Sequence, residues 1–398
     1  MKLLDVAKEI AICHNTPFYI YNENKIVSRI NRMQSAFNAS YYDILYAMKA
    51  NANPYIIKLI SSYGIGIDAC STEEIEIAIR CGLEPAKIHY NADCVKRDEL
   101  KFAFNKKVHI TLGSLDTLEE LDTVANGQEI TLRINTGVGS GHSIKVVTNG
   151  EMSKFGILPS ELDDALRICN AKKIRVSGLH SHTGSGEMTT NSFIDNAAFL
   201  ADLSMKLNGL SHLNFGGGFG YDYVTHNEYD LHTISVALNL LRSKMNLSEH
   251  LRFIIEPGRY FVADSGKLIA TVCSVKKLPH RNYIGLDTGY NHFPRCFYYN
   301  AWHDIENITS PYQETESYDV VGNLCQSGDV FARDRALTKT QKGDLLSIND
   351  VGAYGYSMSS NFNLRQRPAE YIIRRDGSYK TIRRAENFDD IYSTCIWN

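Results

Sequence analysis
Four kinds of group in this 398-residue sequence have the chemistry of a reaction centre: an amine, a carboxylate, an imidazole and backbone amides bared by glycine. Lys49 closes the apolar run Ile44-Leu-Tyr-Ala-Met48, where a strand ends and the chain turns. That placement puts its amine at the mouth of a core, short of solvent. Desolvation disfavours the ammonium, so the amine is expected to be free near neutral pH and able to form a Schiff base with a carbonyl. His180-Ser-His-Thr-Gly-Ser-Gly186 and Asn214-Phe-Gly-Gly-Gly-Phe-Gly220 are runs whose backbone N–H groups can approach a phosphate closely. Glu256-Pro-Gly-Arg259 offers a carboxylate beside a guanidinium, and His182 a ring able to lie flat on another ring. Each signal alone has an ordinary counterpart: a surface lysine, a tight turn, an ion pair, a core histidine.

The elements that must position these groups alternate. Strand patterns are expected at 44–47, 65–69, 88–90, 108–112, 130–134, 176–180, 213–215 and 253–255. Helices lie between them: Ser71-Thr-Glu-Glu74 reads as a capping box opening 75–80, Ser160-Glu-Leu-Asp163 as another opening a helix to about 169, and 193–207 and 234–245 are amphipathic. Eight strands alternating with helices describe a closed parallel barrel or an open doubly wound sheet. Lys49, Asp68, Asn91, Arg133, His182, the 216–218 glycines and Glu256 each fall at or just past a strand's C-terminal end. A barrel gathers all such ends on one face, so the barrel is the expected fold, over residues 25–260. After Arg259 the pattern becomes strands joined by turns, at 268–275, 283–286, 318–321, 344–348 and 371–374. This is a second, mostly antiparallel β domain, formed by 261–398 with 1–24, whose extended segment 17–21 pairs into it.

Composition narrows the class. The chain is 43% hydrophobic and 22% charged, enough to bury more than one core, and its net charge of −3 gives no reason to expect nucleic acid or a membrane surface as partner. No stretch has the length of a membrane span, and acids interrupt the short apolar N-terminal run, unlike a signal peptide. Nine cysteines without a CxxC pair or metal spacing point to reduced thiols in a cytoplasm and to no metal.

The ordered set YAMKAN, GIDACS, SKFGI, HSHTGSG, FGGGFG, EPGR, LCQSGD and GAYGY, running from about 17 to 372, resembles the pyridoxal-phosphate decarboxylases built on the alanine-racemase-like, fold type III barrel. It is most similar to the diaminopimelate decarboxylase family, because Arg295-Cys-Phe-Tyr-Tyr299 with His303 resembles that family's arginine–tyrosine–histidine stretch. The resemblance implies an α/β fold, a (β/α)8 barrel plus a β domain, with pyridoxal 5'-phosphate as cofactor. It makes Lys49 the Schiff-base lysine, with Asp68 and Arg133 near it and His182 stacked on the ring. Ser185, Gly217, Gly218 and Tyr354 hold the phosphate, and Gly258 belongs to the same cofactor site. Glu256 pairs with the pyridine nitrogen, and Arg259 lies at the phosphate or the substrate carboxylate. Arg295, Tyr299, Gln326 and Tyr354 contact a small amino-acid substrate. The implied enzyme is a homodimeric lyase of lysine biosynthesis, in which Cys325 reaches the neighbouring subunit's site and, as a mostly protonated thiol, returns a proton to Cα after carbon dioxide leaves.

One position departs from the pattern. The residue after the cysteine is acidic in that family, where it reads a distal ammonium; here it is Gln326. A neutral hydrogen bond in place of a charge-assisted one weakens selection for a distal cation by roughly tenfold or more. Either Asp329 or Glu187 compensates, or the substrate differs. The alternatives are a sibling decarboxylase acting on ornithine or lysine, carboxynorspermidine, or a citryl-amino acid, then an alanine-racemase-type isomerase, and a non-catalytic pyridoxal-phosphate-binding protein.

Overall fold
The computed structural model describes residues 3–91, 93–121 and 128–397. Strand β1 (Phe18–Asn22) is followed by eight strands that close on themselves: β2 (Tyr42–Ala47), β3 (Gly66–Ala69), β4 (Ile88–Asn91), β5 (His109–Leu112), β6 (Glu129–Arg133), β7 (Arg175–His180), β8 (His212–Asn214) and β9 (Arg252–Ile255). Every neighbouring pair is parallel, and β9 returns to β2 through Tyr42↔Phe253. The register partners Ala47↔Asp68, Arg133↔His180 and His180↔Asn214 keep the C-terminal strand ends level, so the polar residues there share one rim. Chains buried on both faces read as short continuous apolar runs, as these do. The interior is packed: a Cβ on Gly178 would fall 2.2 Å from the His212 imidazole, so only glycine on β7 leaves room for that ring.

The helices between strands start where their caps allow. Ser71 caps Thr72–Arg80 by accepting from Glu74 N at 3.1 Å, but the Glu74 carboxylate reaches past Ser71 to the Cys70 N–H at 2.7 Å. The box expected at Ser160 does not form. The helix there is Leu162–Ala171, preceded by a short turn at Pro159–Glu161, and Glu161 accepts from Leu158 N instead. Proline at the first position of that turn supplies the preset φ that starts it one step early.

The second unit consists of Met1–Ser28, Tyr223–His226 and Val262–Asn398; the barrel unit is Arg29–Asp222 with Asn227–Phe261. Its strands are β10 (Gly266–Leu278), β11 (Arg281–Leu286), β12 (Ile305–Asn307), β13 (Thr315–Val321), β14 (Val330–Thr338), β15 (Leu345–Asn349), β16 (Ala369–Ile373) and β17 (Tyr379–Arg383). The sheet path runs β14-β13-β11-β10-β1-β16-β17, with β15 on β10 and β12 on β15. Among the described residues its pairings are antiparallel except β1 with β16 and β11 with β13. The helix Leu3–His14 lays Val6, Ala7 and Ile10 against Phe18, Ile20, Ile269 and Tyr371. Each such aliphatic side chain contributes about 1.5–3 kcal/mol on burial. The four-residue strap Tyr223–His226 falls inside the span expected for the barrel, yet it groups with this unit because its side chains do. Tyr223 lies under the Arg295 guanidinium at 4.3 Å, and His226 contacts Asp304 at 2.8 Å and Asp350 at 3.2 Å.

Candidate active site
Lys49 sits in the short turn Met48–Ala50 that follows β2. Its Nζ donates to Asp68 Oδ2 at 2.5 Å and lies 3.5 Å from Cys70 Sγ. The expectation that burial frees this amine does not hold: 40% of the side chain is exposed, and a carboxylate in contact favours the ammonium. Asp68 itself is fully buried. Burial and the Glu256 charge push its carboxyl up, against the pull of Lys49 and Asn91, so it is the natural acceptor for the Lys49 proton. Burial also pushes the Cys70 thiol up to about 12, so it stays protonated beside the amine.

Across the rim, Glu256, just past the end of β9, is almost wholly buried. Asn91 Nδ2 and Asn214 Nδ2 donate to its Oε1 at 2.7 and 2.6 Å, and His180 Nε2 lies 3.2 Å from Oε2. Burial alone would raise its pKa; His180, Lys49 and Asn214 outweigh that and hold the carboxylate well below its usual range. The backbone beside it is tied to the glycine run, Glu256 N donating to Gly216 O at 2.9 Å.

His182 accepts from Gly217 N on Nδ1 at 3.1 Å, which leaves Nε2 to carry the proton. Removal from water, then the Arg133 and Lys49 charges, lower its pKa far below the ordinary value, so the ring is neutral. Arg133 is paired with Asp93 at 2.9 Å and stacked over Phe155 at 4.3 Å. Arg259, also buried, donates to Ser185 Oγ at 3.0 Å rather than to Glu256, so the neighbouring-pair reading of that motif fails. Gly258 lets this turn lie on the end of β2, where a Cβ would meet Ala47 O at 2.9 Å.

The remaining expected site residues belong to the β unit. Arg295 is buried and donates to His303 Nε2 at 3.1 Å; His303 Nδ1 lies 2.9 Å from Asn349 O and must be the donor there, so Nε2 is the acceptor. Tyr299 packs edge-on to Tyr298 at 4.8 Å. Tyr354 holds a left-handed φ of 56°, a strained backbone for an aromatic residue. Cys325 is exposed, with Asn363 Nδ2 3.2 Å from its Sγ. Gln326 Oε1 accepts from Tyr290 O–H at 2.8 Å. Asp329 is buried and accepts from Tyr290 N at 2.7 Å and Leu324 N at 2.9 Å; its carboxylate is spent on holding the loop and does not replace a missing acid. Glu187, in the barrel unit, accepts from Thr189 N and Oγ1.

Residues 23–263 match the family described as the pyridoxal-dependent decarboxylase, pyridoxal binding domain. The chain belongs to the pyridoxal-dependent decarboxylases. Along its length the enzyme is 36% identical to diaminopimelate decarboxylase of Methanothermobacter thermautotrophicus, covering 97% of this chain and 92% of that protein. It is 32% identical to the diaminopimelate decarboxylase of Escherichia coli K12, covering 94% and 92%. The crystal structure of Helicobacter pylori diaminopimelate decarboxylase complexed with L-lysine superposes with a TM-score of 0.90 at 28% identity, over 97% of this chain and 98% of that one.

The enzyme uses pyridoxal 5'-phosphate, and its own residues fit that group. Cβ atoms added at Gly217 and Gly218 would strike Glu256 O at 2.3 Å and Gly184 O at 2.8 Å, so the backbone after β8 is bare and cradled between the turns after β7 and β9. Bare amides, the Ser185 hydroxyl and the Arg259 guanidinium are a phosphate's donors, and an anionic Glu256 suits a protonated pyridine nitrogen. Sequence reasoning passed over His180, Asn214 and Asp93 and gave Asn91 no role. The first two open the glycine-rich runs already singled out, and Asn91 ends a strand, so position was the signal available for all three.

Proposed function
We propose that this enzyme decarboxylates meso-diaminopimelate to L-lysine. The observation that carries the reading is one rim presenting a lysine amine on a buried carboxylate, Lys49 on Asp68, together with a second carboxylate, Glu256, held anionic. When bound, pyridoxal 5'-phosphate supplies an electron sink conjugated to the substrate's Cα. Lys49 Nζ would hold it, passing a proton toward Asp68 Oδ2 as the amine reacts. Glu256 would accept from the protonated ring nitrogen, the neutral His182 would lie on the ring face, and Ser185, Gly217, Gly218 and Gly258 would bound the phosphate with Arg259. Arg133 would keep charge near Lys49 and His182. On the resemblance alone we assign Tyr354 to the phosphate, Arg295, Tyr299 and Gln326 to the substrate, and the Cα proton to the Cys325 thiol of a second copy in a cytoplasmic homodimer.

Borohydride treatment of the holoenzyme should label Lys49, and Lys49→Ala should lower carbon dioxide release by about a thousandfold or more. Failure to label residue 49 would falsify the cofactor assignment. The neutral Gln326, with Asp329 consumed by the loop, favours one second reading: a sibling amino-acid decarboxylase whose substrate lacks a distal ammonium. A panel of amino acids scored by carbon dioxide release and chiral analysis of the product separates the two.

A further inference from the structure
Asn91 ends β4, is nearly fully buried, and spends both hydrogens of one amide on two different carboxylates: Asp68 Oδ1 at 2.6 Å and Glu256 Oε1 at 2.7 Å. Those oxygens lie no farther apart than the two bonds laid end to end. Two buried carboxylates at such range ordinarily do not both ionise: one keeps a proton, and the pair titrates as a unit. An amide NH2 occupies the same place with two donors, no charge and nothing to titrate. Its orientation follows, because a turned amide would aim Oδ1 at two anions. As it stands, that Oδ1 is buried with no hydrogen-bond partner among the described residues, a cost accepted so that both hydrogens face the carboxylates.

We propose that Asn91 is a positioning residue that keeps Asp68 and Glu256 anionic together, so that one can serve the Lys49 amine while the other serves the ring nitrogen. This rests on the cofactor assignment given above. The titratable groups facing the pair are Lys49, Cys70, Glu74, His89, His180 and His182; among them Lys49 draws both carboxylates down and His180 draws Glu256 down. Among the described residues, Asn91 is the group that hydrogen-bonds both.

Infrared spectra of the wild-type holoenzyme should show no carboxylic-acid C=O band from this pair at neutral pH. Asn91→Ala, and the isosteric Asn91→Asp, should each gain such a band, and it should vanish when Asp68→Asn is added to Asn91→Ala. The acid limb of kcat/KM should move up by about one pH unit or more, and cofactor affinity should fall by about tenfold. A role in shape alone would leave a folded Asn91→Ala without the band and with the acid limb of wild type. A band already present in wild type, or both variants folded with an unmoved acid limb and no band, overturns the proposal. Borohydride labelling run alongside separates the levels. Unlabelled Lys49 in wild type removes the cofactor assignment, whereas labelled wild type with silent Asn91 variants removes this inference alone.

Discussion

At Glu256, two amides and an imidazole converge on a carboxylate that burial alone would protonate. Glu256→Gln keeps the shape and removes the charge. The variant should fold, still be labelled at Lys49, and lose about a hundred- to a thousandfold in kcat, read by single-turnover kinetics. Deeper in the barrel, His212 bonds Thr131 Oγ1 at 2.8 Å and Ser211 Oγ at 3.0 Å, and burial, then His109, pushes it down to about 4. The unfolded chain takes up that proton near pH 6.5 and the folded one only near 4, so stability is intact above about pH 6.5 and drains as pH falls toward 4. From His212 alone the loss is about 3 kcal/mol. Urea midpoints at about pH 7.5 and about pH 4.5 should differ less in His212→Gln than in wild type. Lys49, Asp68, His182 and Glu256 were legible because each sits in a run whose neighbours announce it. The bonds to Glu256 were not, since its partners lie 165, 76 and 42 positions away and meet it only when the barrel closes.

Among the elements, the loop bearing Cys325 and Gln326 is held from inside. Asp329 gathers the backbone N–H groups of Tyr290 and Leu324, and Gly289 and Gly322 lie so close that a Cβ on either would reach within 2.8 Å of its carboxylate. Asp329→Ala leaves those part-buried donors unpaired. It should lower stability by about 2 kcal/mol, measured by thermal unfolding, and lower kcat as Cys325 loses its fixed place. Sequence offered Asp329 as a substrate-reading acid because composition cannot distinguish a carboxylate facing a substrate from one facing its own backbone. The same blindness affected the helix starts. Ser71 caps as its spacing suggests, whereas at Ser160 the preceding Pro159 begins a turn that displaces the cap. Strand positions were far more readable, since alternation of short apolar runs with helical periods survives errors of a residue or two.

For the whole molecule, the order of elements along the chain differs from their order in space. Strand β1 lies between β10 and β16, pairing Phe18 with Ile269 on one side and with Ala369 on the other. Ile20 is wholly buried there. Ile20→Asp should strip hydrogen-exchange protection from β10 and β16 while β2 through β9, which form their own closed ladder, keep theirs. The extended run at 17–21 hinted at this partnership, but the parallel pairing with a strand some 350 residues later carries no local mark. On the ribosome the consequence is a long wait. The aromatic segment Phe18-Tyr-Ile-Tyr21 emerges some 350 residues before its second flank, which does not exist until residue 373 has left the exit tunnel. Through most of synthesis it is a sticky, unsheltered ribbon, and a nascent-chain chaperone that shields such ribbons should set how much of this enzyme reaches its native state.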